Sequence, residues 1–116
     1  MRLLVDQGFP ASIAQSGSMN VELLRWNTAA ISDEELLKEA QLQAWSGVVF
    51  LGTRSLLSSS LRDDAANRRL WLAGTVTTNP FEAMRSISNN IGAIERSVKS
   101  GDVHLIYARE VRPLED

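Results

Sequence analysis

With 116 residues, 44% of them hydrophobic and 22% charged, the chain has the length and balance of a single globular domain, 1–116, which excludes a disordered segment. A formal net charge of -2 and a pI near 5.4 exclude a global attraction to phosphate, so nucleic-acid contact requires a local patch or a bound cation. The lack of cysteine excludes disulfides and thiolate zinc sites, and with neither a signal-peptide pattern nor an apolar run near the ~18 residues that cross a bilayer, a soluble, cytoplasmic chain is expected.

In chain order, residues 2–6 (RLLVD) open as a strand that runs into Gly8 and Pro10. Residues 10–16 have room for a short helix, and residues 21–26 (VELLRW) form a second strand in which Leu23 and Leu24 break strict alternation. A helix is predicted over 32–45. Ser32 and Glu35 have capping-box spacing, Asp33 and Glu34 fill the first turn where the helix dipole favours anions, and Leu36, Leu37, Ala40 and Ala44 share a face.

Residues 47–51 (GVVFL) read as the third strand, and 54–67 as a helix with Leu56, Leu57 and Leu61 inward, weakened by the serines at 58–60. After a fourth strand at 70–76, Asn79 and Pro80 start a long helix whose Met84, Ile87, Ile91, Ile94 and Val98 recur every three or four residues as far as Gly101. Residues 103–107 (VHLIY) complete a set of five strands. Near-continuous apolar strands alternating with helices predict a three-layer α/β domain around a mostly parallel sheet of about five strands.

In such a sheet, ligands gather beyond the carboxyl ends of the strands. Asp6 ends the first strand, and Asp33 and Glu34 open the helix after the second, so acids distant in the chain can meet at one edge. Oxygen ligands of this kind suit Mg²⁺ or Mn²⁺, which can activate water and steady charge on a phosphate under attack. Simpler roles compete: Asp6 can cap a turn, first-turn acids suit any helix, and Glu35 belongs to the capping box.

The stretch LLVDQGFP (3–10), a strand ending in Asp, together with SDEELLKEA (32–40), resembles the first two motifs of small bacterial PIN-like domains, with strand order and spacing similar over 1 to about 110. The resemblance implies a PIN-like fold in a superfamily of metal-dependent ribonucleases that includes toxin-antitoxin toxins. It further implies that Asp6 and one of Asp33 or Glu34 are metal-binding acids, with Asp6 and Asp33 the catalytic pair. Gln7 replaces a frequent glutamate, and Thr53 and Ser55 stand where the family carries aspartates after the third strand. These hydroxyls, and Asn79, can assist through water but bring no charge, so weaker Mg²⁺ or Mn²⁺ affinity and a weakened or lost ribonuclease activity are expected. The alternative is a non-catalytic module that binds a protein, such as an antitoxin, or RNA. The long helix is also a candidate homodimer face.

Other features carry less. His104 is the only histidine, too few for a His-based zinc site, and no phosphate-loop or dinucleotide pattern surrounds the scattered glycines. Asp63 and Asp64 among Arg62, Arg68 and Arg69 read as an internally paired, solvated face with RNA phosphates as the competing role. Trp26, Trp45 and Trp71 are expected as core or core-edge anchors.

Overall fold

Leu3, Leu4 and Val5 are fully buried in the first strand, β1 (Arg2–Val5), and point alternately to opposite sides of the sheet. Leu3 and Val5 join a cluster with Phe9, Ile13, Ala83, Ile87 and Ile94, while Leu4 joins another with Leu36, Leu37, Ala40, Leu56 and Leu61. Both faces of the strand are therefore covered, which is why its apolar run is unbroken. A computed structural model describes residues 1–26 and 31–115.

Among the described residues the sheet has six strands in the order β2-β1-β3-β4-β5-β6, comprising β1, β2 (Glu22–Arg25), β3 (Gly47–Phe50), β4 (Trp71–Thr75), β5 (His104–Ile106) and β6 (Val111–Pro113). All neighbours pair in parallel except β5 and β6. The α/β class, the mostly parallel sheet and the five predicted strands are present; β6 is additional. Its three residues include exposed Arg112 and Pro113, so it carries no hydrophobic signature. A short edge strand with a proline and a charge is also a poor template for further pairing.

Helix α1 (Asp33–Leu42) begins as its cap predicts, with the Ser32 hydroxyl accepting from the Glu35 backbone N–H at 3.2 Å. It stops short of the predicted Trp45. The predicted helix 54–67 is instead a 3₁₀ turn (Arg54–Leu57) followed by α2 (Ser59–Asn67). The serine run is a boundary there: the Ser58 hydroxyl accepts from the Leu61 N–H at 3.3 Å and caps α2. On its outer face Arg68 pairs with Asp64 at 3.0 Å, as the internally paired reading of that face required.

The long helix of the sequence is two helices, α3 (Pro80–Asn89) and α4 (Ile91–Ser100), separated at Asn90. Buried Asn90 donates its side-chain amide to the Ser86 carbonyl (2.7 Å) and the Tyr107 carbonyl (2.9 Å), tying the break to the end of β5. Hydrophobic period alone hides such a break, because Ile87 and Ile94 stay on one face through it. Both are fully buried against this chain's own sheet, and Met84, Ile91 and Val98 of the same spacing are partly buried beside them. Gly101 ends α4 with φ +77°, as expected of a helix stop.

Trp71 lies in the core and donates its indole N–H to Nδ1 of His104 at 3.0 Å, so the one histidine is part of the packed interior at the start of β5. Trp26 and Trp45 are half-buried at the core's margin. Among the described residues, no helix is long and apolar enough to cross a membrane.

Candidate functional site

Between β1 and β3 the chain's direction of progress reverses: β2 lies on one side of β1 and β3 on the other. Such a switch point leaves a crevice at the carboxyl ends of the strands. Asp6 stands at its mouth. Its backbone N–H donates to the Val49 carbonyl at 3.2 Å, which carries β1–β3 pairing one step beyond the strand. Its carboxylate accepts the Leu51 N–H at 2.9 Å on Oδ2 and the Gly8 N–H at 2.8 Å on Oδ1. The acid thus staples the end of β3 to the turn after β1.

Arg25, at the end of β2, holds that turn from the other side. Its guanidinium donates to the Phe9 carbonyl at 2.6 Å and to the Gln7 carbonyl at 2.8 Å. Nothing in the sequence pattern singled it out; the signal was a cation at the end of a strand beside β1.

Asp33, the first residue of α1, faces the same crevice. Asp6, Gln7, Trp26, Ile31, Asp33 and Leu36 line a cleft of about 250 Å³. The two acids expected to converge do so. Ser55, in the 3₁₀ turn after β3, donates its hydroxyl to Asp33 at 2.7 Å and so joins the site through that acid.

The other candidates lie elsewhere. Glu34 lines an adjoining groove with Arg54, Ser55 and Ser58 and does not line the Asp6 cleft. Thr53 precedes the 3₁₀ turn and makes no cap hydrogen bond. Asn79 caps α3, its side-chain oxygen accepting from Phe81 at 3.1 Å and Glu82 at 3.0 Å, and is not among the cleft's lining residues. Asn79 is claimed by the unpaired backbone N–H groups at the start of α3.

Burial raises the Asp6 carboxyl above its ordinary value and the nearby charge of Asp33 adds to this, while the Leu51 and Gly8 N–H donors and Arg25 oppose it. A raised folded-state value means that the native chain binds this proton more tightly than the unfolded one. The contribution of Asp6 to stability is then complete below the ordinary carboxylate range and is lost as pH rises through the folded value. In chelator-treated protein, the unfolding free energy of wild type minus that of Asp6→Asn should therefore fall between pH 3.5 and 7, roughly the span above the ordinary value. A difference that rises over that range would reverse the assignment.

The donor set suits one hard cation with several waters, the usual situation of Mg²⁺, and not a two-metal centre. Each Asp6 oxygen retains a lone pair after its backbone bond, and Asp33 retains acceptor capacity beside Ser55. Among the described residues, no group of three or more His, Asp or Glu side chains is placed to hold a metal ion. The Trp26 indole N–H, on the cleft wall, is buried with no hydrogen-bond partner in the described structure. As a donor it can meet a ligand oxygen but not a cation.

Compared with known proteins, the chain is matched by no family model, no curated protein and no solved structure.

Proposed function

We propose that the chain is a PIN-like domain, a three-layer α/β sandwich related to metal-dependent ribonucleases, in which Asp6 and Asp33 hold a single Mg²⁺ or Mn²⁺ weakly and RNA cleavage is slow or lost. The observation that carries this is the meeting of Asp6 and Asp33 in one cleft at the switch point, with Ser55 bonded to Asp33. When bound, such an ion supplies water activation and charge neutralisation at a phosphate. This chain's residues supply its anchorage: Asp6 is fixed by two backbone donors, Ser55 donates to Asp33, and Arg25 holds the turn that follows Asp6. The hydroxyls at Thr53 and Ser55 add no charge, which limits affinity.

A second reading, a binding module without catalysis, is favoured by the same staple: both Asp6 oxygens already have structural partners. Its partners would be RNA or an antitoxin-like protein, and a homodimer belongs to the same set of proposals.

Asp33→Asn is the informative variant, because Asp33 is exposed and the cap of α1 is Ser32. Mn²⁺ should broaden the amide resonances of residues 6–8 and 32–34 in the wild type, and Asp33→Asn should weaken that binding roughly tenfold or more, about 1.4 kcal/mol. Equal broadening in both proteins, or none in either, overturns the metal assignment. Mn²⁺-dependent cleavage of single-stranded RNA that disappears in Asp33→Asn supports the nuclease; metal binding without cleavage supports the module.

A further inference from the structure

A second opening, about 420 Å³, lies beyond the ends of β4 and β5, away from the acid cleft. Its floor is formed where the two strands end: Val76 follows β4, Tyr107 follows β5, and the Val76 N–H donates to the Ile106 carbonyl at 2.9 Å. One wall is α3, which presents Glu82 and Arg85, and the other is the β5–β6 turn, which presents Arg109.

The two cations on these walls are uncommitted and line the same opening. Neither Arg85 nor Arg109 has a hydrogen-bond or ion-pair partner among the described residues, although Glu82 is three residues from Arg85 on the same helix. Glu82 instead accepts from the Thr77 hydroxyl at 3.2 Å. The turn that carries Arg109 is held in place. Asn90 bonds the Tyr107 carbonyl, Asn89 donates to the Ala108 carbonyl at 3.3 Å, and the Tyr107 N–H donates to the Glu110 carbonyl at 2.8 Å. Arg112 lies 5.6 Å from the centre of the Tyr107 ring and pairs with Glu110 at 3.0 Å, which further orders the ring. Two guanidinium groups are thus presented from separate rigid elements around a partly apolar floor, on a chain whose net charge is -2.

We propose that this cleft binds a 5′-phosphorylated nucleoside, with its phosphate on Arg85 and Arg109, its flat apolar part over Val76 and Tyr107, and a hydroxyl or amino donor toward Glu82. Planar guanidinium forks match phosphate oxygens in pairs. The volume is within the ordinary range of small-molecule sites, and a cavity of this composition, mostly apolar with a few convergent polar groups, is the usual form of such sites. The acid on the wall selects against a purely anionic ligand and favours one that is anionic at one end and a donor at the other. The site stands apart from Asp6 and Asp33 and does not depend on the proposed metal chemistry.

The test titrates uridine and adenosine 5′-monophosphate into the full chain, followed by amide NMR, with uridine, adenosine and inorganic phosphate as comparisons. Saturable shifts centred on Val76, Tyr107 and Ala108 are expected, with the nucleotides binding more tightly than any comparison compound. Arg85 and Arg109 are exposed, so Arg85→Ala and Arg109→Ala should fold, and each should weaken nucleotide binding about tenfold or more. Asp33→Asn should leave it unchanged. A 5′-phosphorylated dinucleotide that binds more tightly than the mononucleotide identifies the end of an RNA strand as the source; equal affinities identify the free nucleotide. No shifts at millimolar nucleotide, affinity that survives both arginine substitutions, or inorganic phosphate binding as tightly as nucleotide overturns the proposal.

Discussion

Asp6→Ala is expected to lower the free energy of unfolding by about 2–3 kcal/mol, measured by urea denaturation at pH 7. Two backbone N–H groups, of Gly8 and Leu51, lose their acceptor at once. Bonds to a charged acceptor contribute about 1.5–3 kcal/mol each, and relief of the buried carboxylate's desolvation returns part of the sum. Asp6→Asn keeps one acceptor oxygen and presents an amide to the other N–H, so its loss should be about half as large. If Asp6→Ala changed stability by less than about 0.5 kcal/mol, the ordinary scatter of surface substitutions, the staple between β1 and β3 would have no energetic reality. The expectation also governs how the site is tested. Any activity lost with Asp6 is confounded with lost structure, whereas Asp33 can be neutralised while its helix keeps its cap.

The second large effect is predicted at Gly74, in the middle of the fully buried strand β4. A Cβ there would overlap the Gly52 carbonyl oxygen and approach Leu56 Cδ1 to 2.9 Å. The Leu56 methyl can turn aside, but the carbonyl cannot. The Gly52 N–H is bonded to the buried Thr75 hydroxyl at 3.0 Å, and that hydroxyl donates onward to the Thr77 carbonyl at 2.9 Å. Gly74→Ala should therefore cost about 3 kcal/mol, at the upper end for one added methyl in a packed interior. Displacing Gly52 also disturbs its neighbour Leu51, so the amide resonances of Leu51 and Gly8 should shift although both lie outside β4. Thermal and urea unfolding read the first effect, and NMR the second. Stability within 1 kcal/mol of wild type would show that the two backbones can separate cheaply.

Local chemistry in the chain was enough for the class of the fold. Unbroken apolar runs at residues 3–5, 48–50 and 71–73 required cover on both faces, and the caps at Ser32 and Asn79 placed two helix starts correctly. These signals act over a few residues, so they survive in one dimension. Each error had the opposite character. The break at Asn90 depends on a carbonyl at Tyr107, 17 residues away, and β6 exists because β5 offers it an edge. The serines at 58–60 are the exception, because the cap that Ser58 makes on Leu61 is as local as those at Ser32 and Asn79 and was hidden only by their poor helix propensity.

The site divides along the same line. That Asp6 ends a strand and Asp33 starts a helix follows from composition and spacing alone. That they share a cleft follows from strand order, because β1 lies between β2 and β3 and the crossover through α1 returns Asp33 to the crevice that Asp6 borders. Arg25, and the pairing of Arg85 with Arg109 around one opening, were set by the same ordering of strands. A side chain's type is a local property, but the cleft that gives it chemical meaning is made by whichever distant segments the sheet brings alongside.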